Sequence, residues 1–194
     1  MSVNLGKGEG ISLRKSDGSA LSVVRMGLGW QAAARKGFLA KLMAREIDLD
    51  ASAVLFAADH QLVDTVYFNN LTSKDGSVRH TGDNLTGGAV KGGDDESILV
   101  DLQRVPARVQ QIVFTVNSFT GQTFEAVQDA FCRLVDESNG QELARYTLTG
   151  GGPYTAQIMA KVQRTATGWQ MTAIGAPATG RTFKDLLPAI TPHL

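Results

Sequence analysis

The sequence predicts a mainly β protein, an antiparallel β-sandwich with few short helices, and three observations lead there. Its apolar segments are mostly short and rich in β-branched or aromatic residues, Gly, Asn or Asp turns separate them, and apolar and polar residues alternate within several of them. The 194 residues, 43% of them hydrophobic, suit one domain spanning 1–194. A chain of this length buries roughly 70% of its unfolded surface and needs no disulfide staple.

The expected strands are Ile11–Leu13, Leu21–Leu28, Asp48–Ala57, Leu62–Phe68, Ile98–Leu102, Gln111–Val116, Ala130–Asp136, Glu142–Leu148, Gln157–Gln163 and Trp169–Ile174. Asp17-Gly18, Asp75-Gly76 and Asn139-Gly140 tolerate positive φ and close tight turns between strands or strand ends. Period-two alternation places Ile112, Phe114 and Val116 on one face, and makes Glu142–Leu148 a half-buried strand with Arg145 at a rim. Two stretches read as helical, Phe124–Phe131 and Phe183–Ile190, the second limited by Pro188. A third, the basic insertion at 34–45, carries Phe38, Leu39, Leu42 and Met43 as one apolar helical stripe. It reads first as a surface element packed on the sandwich, and second as a contact for an anionic membrane or a partner.

The N-terminus lacks the apolar core of a signal peptide. The longest apolar run, Ala53–Ala58, falls far short of the roughly 18–20 residues that span a bilayer. Cys132 is the only cysteine, and its apolar setting reads as a packed strand position rather than a reactive thiol. A reducing cytoplasm is the expected compartment, with peripheral attachment at the inner membrane face as the further reading of the insertion. Trp30 and Trp169 read as packing residues.

Formal net charge is zero, but the charges are segregated. Residues 1–45 hold eight basic and two acidic residues, 46–101 hold three and eleven, and 102–194 hold eight and six. This balance gives no reason to expect nucleic-acid binding, and it marks the central block as a candidate cation site. Glu46, Asp48 and Asp50 fall on one face of an extended strand, where carboxylates two strand rises apart repel unless a cation lies against them. The stretch from Gly82 to Glu96 is glycine-rich and supplies hard oxygens: the carboxylates of Asp83, Asp94, Asp95 and Glu96, the amide of Asn84 and the hydroxyl of Thr86.

Without Cys or His in the constellation, zinc, copper and iron are disfavoured, whereas many oxygens on a flexible loop suit Ca²⁺ better than the strictly octahedral Mg²⁺. The spacing is not that of an EF-hand, and Lys91-Gly92-Gly93-Asp94 is not a phosphate-binding P-loop. His60, His80 and His193 have no recognisable nucleophile beside them, and no Gly-x-Ser-x-Gly elbow occurs. The competing bland reading of each acidic run is a solvated charged turn or strand end.

Several motifs carry a resemblance. They are Gly27-Leu28-Gly29-Trp30, Asp48-Leu49-Asp50-Ala51-Ser52, His80-Thr81-Gly82-Asp83-Asn84-Leu85-Thr86-Gly87 and Gly93-Asp94-Asp95-Glu96, followed by Phe114–Phe124, Ala130–Arg133 and Leu143–Tyr146. Over roughly residues 1–185 the chain resembles the TerD family of tellurium-resistance and general stress proteins, most closely its TerZ branch. The resemblance implies a β-sandwich holding two Ca²⁺ ions, with Asp48, Asp50, Asp83, Asn84, Asp94, Asp95 and Glu96 as ligands. Glu46 and Thr86 are weaker candidates, as are Asn117 and Ser118, whose motif is expected to approach the site. It also implies a non-enzymatic binding or scaffold role beside other tellurite-resistance proteins. The alternative is a metal-dependent enzyme acting on tellurium oxyanions or a metabolite. A lone packed cysteine and the lack of a flavin or nicotinamide motif argue against direct tellurite reduction.

Overall fold

The computed structural model describes residues 2–15, 17–32, 48–82, 84, 93–148 and 152–194. The basic insertion, Glu46, Asp83 and Thr86 lie outside the described residues.

Among the described residues, twelve strands follow in chain order: β1 (Val3–Asn4), β2 (Gly10–Ser12), β3 (Val23–Ala32), β4 (Leu49–Phe56), β5 (Leu62–Val66), β6 (Val78–His80), β7 (Glu96–Asp101), β8 (Gln111–Ser118), β9 (Val127–Asp136), β10 (Gln141–Thr147), β11 (Ala156–Thr165) and β12 (Gly168–Ala178). One α-helix, α1 (Phe183–Ile190), closes the described chain together with a short 3-10 turn. The first sheet has the order β1-β10-β9-β3-β7-β6 and the second β2-β12-β11-β8-β4-β5. All pairings are antiparallel except β1 with β10. The predicted β-sandwich is therefore the observed architecture.

Alternation decides what each face does. On β3, Val24, Met26, Leu28 and Trp30 point inward and pack with Ala51, Ala53 and Leu55 of β4 and with Ile112, Phe114 and Val116 of β8. The other face of the second sheet is covered as well: Val54, Phe56, Val113 and Ile158 pack beneath Phe183, Leu186 and Ile190 of α1. Burial on both faces explains why the second half of β4, Ala53–Phe56, reads as a continuous apolar run rather than an alternating one. Each of those three helix side chains contributes about 1.5–3 kcal/mol by leaving water. Pro188 lacks an N–H for the Lys184 carbonyl, which is tolerated in a helix this short with Lys184 exposed.

The three turn dipeptides have their glycines at positive φ, with Gly18 at 82°, Gly76 at 73° and Gly140 at 71°. Cys132 is fully buried, and burial pushes its thiol up to about 12. Trp30 and Trp169 are core residues.

One expectation is corrected. Phe124–Phe131 is not a helix: Phe124–Ala126 makes a single 3-10 turn, and β9 begins at Val127. Its first residues pair with the end of β3, Ala32 with Val127 and Gln31 with Gln128, and the register then shifts between Gly29 and Gln31. Asp129 takes up the irregularity at φ 51°. Phe124, Val127 and Phe131 are spaced as on a helix, but strand pairing overrides that local pattern.

Candidate metal centre

The described candidate acids, Asp48, Asp50, Asp94, Asp95 and Glu96, occupy three environments. The innermost is built on β7. Glu96 pairs with Leu28 at the start of that strand and shares its inward face with Ile98 and Val100. It is only 1% exposed. Its Oε2 accepts the Ala51 N–H at 2.7 Å, and its Oε1 accepts the Asn84 N–H at 3.1 Å. Because Ala51 belongs to the other sheet, beyond the point where β5 begins to pair with β4 at Ala53, this carboxylate ties the two sheets together at one end of the sandwich. Hydrogen bonds to a charged acceptor contribute about 1.5–3 kcal/mol each.

His80 faces the same carboxylate from β6. Its Nδ1 accepts the Gly82 N–H at 3.1 Å, so Nδ1 carries no proton and the single ring proton of the neutral form sits on Nε2. Nε2 lies 3.3 Å from Glu96 Oε2, off the line of a directed hydrogen bond, with both side chains fully buried. The sequence places His80 near the acidic stretch at a turn or strand end, and it is the last residue of β6; what the sequence reading lacked was its parity with Val78, which is inward and buried on the same short strand.

Asp95 extends the ladder just before the start of β7. Its backbone N–H donates to the Leu28 carbonyl at 2.8 Å, and its Oδ2 accepts the Trp30 N–H at 2.9 Å, taking the place a strand carbonyl would fill. The Asn84 amide nitrogen lies 3.4 Å from both the Asp95 carbonyl and Asp95 Oδ1. Asn84, Asp95 and Glu96 therefore converge.

The second environment is the outer face of the second sheet. Asp50 on β4 stands opposite Asn117 on β8, and the Asn117 Nδ2 donates to Asp50 Oδ2 at 3.3 Å and to the Arg181 carbonyl at 2.6 Å. Asn117 Oδ1 is buried and accepts no hydrogen bond. Asp48, half-buried, immediately precedes β4. Ser118 belongs elsewhere: its hydroxyl donates to Gln122 Oε1 and accepts the Gln122 N–H, each at 3.0 Å, which pins the turn after β8.

The third environment takes Asp94 away from the other acids. Its carboxylate lies on the outer face of the first sheet, directly over Gly27, where an added Cβ would overlap it. There it binds the Arg25 guanidinium and, at 2.6 Å, Arg133 Nε. Gly29 leaves room in the same way for the Gly93 carbonyl and the Phe131 ring, which would stand 2.6 and 2.5 Å from a Cβ. The Gly27-x-Gly29 pair is thus the bed in which the end of the glycine-rich stretch lies. Asp94, expected as a ligand, is instead engaged by two guanidinium groups.

The arginine cluster continues outward. Arg25 Nε pairs with Glu137 at 2.9 Å, while Glu142 receives Arg133 at 3.2 Å and Arg145 at 2.7 Å. Arg145 also stacks over the Phe131 ring, 4.0 Å from its centroid. The Arg145 hydrogen bond, with help from Ser2 and Arg133, holds the Glu142 carboxyl down at about 2 against the opposing effect of burial.

Among the described residues, no three carboxylate, imidazole or thiol groups lie close enough together to hold a metal ion. Contrary to the expectation of a constellation without His, the His80 imidazole lies beside Glu96; the other residues supply oxygen donors, among which one amide oxygen, that of Asn117, is buried without a partner. That chemistry fits a hard cation such as Ca²⁺.

The TerD domain profile matches residues 1–188. The chain belongs to the TerD family. It is similar to the tellurium resistance protein TerZ of Serratia marcescens, with 46% identity over 95% of this chain and 94% of that one. It is also similar to the tellurium resistance protein TerD of the same organism, 40% identical over 93% of each chain. Stress response protein SCP2 of Bacillus subtilis is 37% identical over 96% of this TerD-family chain and 98% of its own. The fold is shared with a crystal structure of a telluride resistance protein (TerD) homologue from Streptomyces coelicolor, at TM-score 0.69 and 20% identity, covering 87% of this chain and 96% of that one.

Proposed function

We propose that this TerD-family chain is a calcium-binding, non-enzymatic binding or scaffold protein of a bacterial tellurite- and stress-resistance system, working in the cytoplasm beside other resistance proteins. The observation that carries this reading is the buried Glu96 carboxylate, which joins the two sheets and receives the Asn84 end of the glycine-rich stretch. Asn84, Asp95 and Glu96 would form the fixed wall of one calcium site, to which Asp83 would add the loop's carboxylate. Asp48, Asp50 and Asn117 would supply the second. Calcium would neutralise the repelling carboxylates and order the stretch between Asp83 and Gly93 against the sandwich.

A non-enzymatic role is supported by the chemistry of the described residues. Cys132 is buried with a thiol held near 12, which leaves essentially no thiolate to reduce an oxyanion. Among the described residues, no helix is long and apolar enough to cross a membrane.

Calorimetric titration with Ca²⁺ and Mg²⁺ tests the proposal. Micromolar calcium affinity is expected, with weaker magnesium binding. Asp83→Ala and Glu96→Gln should each reduce calcium affinity at least tenfold. At calcium one hundred times Kd, linkage predicts about 2.7 kcal/mol of added stability. For a domain of this size that raises Tm by about 5–11 °C. Calcium binding that is absent, or indifferent to both substitutions, overturns the reading.

A further inference from the structure

The His80 ring stands behind Glu96 with one of its two nitrogens unused. Backbone contacts fix where the ring sits: the His80 N–H donates to the Leu71 carbonyl at 2.8 Å, and the Thr81 N–H that follows donates to the Ser97 carbonyl at 2.9 Å. His80 also pairs with Ile98, so the end of the short β6 is held from both sides. The side chain is fully buried, and Nε2 has no hydrogen-bond partner. A buried donor in that state is costly unless an acceptor stands within reach. Glu96 Oε2, 3.3 Å away, is such an acceptor.

The tautomer decides what Nε2 can do. Because Nδ1 accepts the Gly82 N–H at 3.1 Å, the neutral ring carries its proton on Nε2. A metal-binding histidine has the opposite arrangement, in which one nitrogen gives its lone pair to the ion and the other donates its N–H to an oxygen. Here Nδ1 faces a donor, so Nε2 has no lone pair to offer a cation. We infer that His80 is a positioning residue for Glu96: its Nε2–H joins the Ala51 N–H in pinning Oε2 to the sheet junction, so that a cation meets this carboxylate through Oε1. The inference rests on the calcium reading of Glu96 and deepens it. The two oxygens are already unequal. Oε2 faces two donors, at 2.7 and 3.3 Å, whereas among the described residues Oε1 accepts the Asn84 N–H alone, at 3.1 Å, and so faces the glycine-rich stretch. A carboxylate fixed in this way loses little orientational freedom when a cation arrives, which is what preorganisation contributes to affinity.

Two substitutions separate the two edges of the ring. His80→Gln puts an amide nitrogen where Nε2 stands and keeps the donor toward Glu96, while the acceptor for Gly82 is lost. His80→Asn keeps an acceptor near the place of Nδ1 and loses the donor. In calcium titrations His80→Gln should stay within about threefold of the parent chain and His80→Asn should be about tenfold weaker, the scale on which outer partners of metal ligands act. In a Glu96→Gln background the two substitutions should give equal affinities, because His80 acts through that carboxylate. ¹⁵N NMR of the imidazole, recorded in EDTA and again with calcium, should show Nε2 protonated and Nδ1 unprotonated in both. This measurement uses the parent chain, so it decides the point even if His80→Asn does not fold. A protonated Nδ1, or loss of the Nε2 proton when calcium binds, overturns the proposal. Calcium affinities equal in His80→Gln and His80→Asn, or a difference that persists in the Glu96→Gln background, overturn it while the calcium reading stands. No calcium binding by the parent chain overturns the calcium reading and this role of His80 with it.

Discussion

Glu142 shows how one side chain ties pH to stability in this molecule. It accepts from Arg145, Arg133 and Ser2, and its carboxyl is held at about 2 rather than at the ordinary 4.5. A depressed pKa means that the folded state favours the ionised form, so the stabilisation is complete above pH 4.5 and disappears as pH falls from there toward 2. The side chain keeps partial solvent contact, so screening limits the effect to about 1 kcal/mol. Glu142→Gln should therefore be less stable than the parent chain at pH 7 by about that amount, and equal to it near pH 2. Thermal unfolding at both pH values checks this, and a gap that persists at pH 2 would contradict it. At the same scale, the acids were visible in the sequence but their partners were not. Nothing in the local string Gly93-Asp94-Asp95-Glu96 says that Arg25 and Arg133, far away along the chain, will claim Asp94 while Ala51 claims Glu96.

Among the elements, β3 does the most to place the site. Its inward residues build the core, and its outward Gly27 and Gly29 form a bare strip on which residues 93 and 94 rest. The Gly27-Leu28-Gly29-Trp30 motif was legible as a motif, but its purpose lies in the start of β7, which runs in beside it. Gly27→Ala puts a methyl group into the Asp94 carboxylate and must loosen its grip on Arg25 or Arg133. Overpacking of this kind costs about 1–3 kcal/mol. The expected result is a Tm lowered by several degrees, together with weaker calcium binding, because Asp95 and Glu96 follow directly. Normal stability and affinity in Gly27→Ala would show that the strip is not needed. Long strands such as β4, β8 and β11 could be read from apolar pattern and length, since their signal is local. The two-residue β1 and three-residue β6 were not read, and the equally short β2 was read one residue late, as Ile11–Leu13, because strands so short carry little pattern of their own. The 124–131 stretch failed for the same reason in reverse, a local helical spacing overruled by pairing with β3.

At the scale of the whole molecule, zero net charge conceals a division that calcium would alter. Residues 46–101 carry three basic and eleven acidic residues, and the remaining chain compensates. Two bound Ca²⁺ ions would bring that block from −8 to about −4 and the whole protein from neutral to about +4. The basic residues of 1–45 would then dominate the field that a partner or an anionic surface meets. Electrophoretic mobility near pH 7 measures this directly. With EDTA the chain should barely move, since its isoelectric point is about 6.8. With calcium it should migrate to the cathode, and Glu96→Gln, lacking one site, should give an intermediate mobility at calcium concentrations that saturate the other. A mobility unchanged by calcium would mean that the charge division is not neutralised by metal, and the solvated-turn reading of the acidic block would stand.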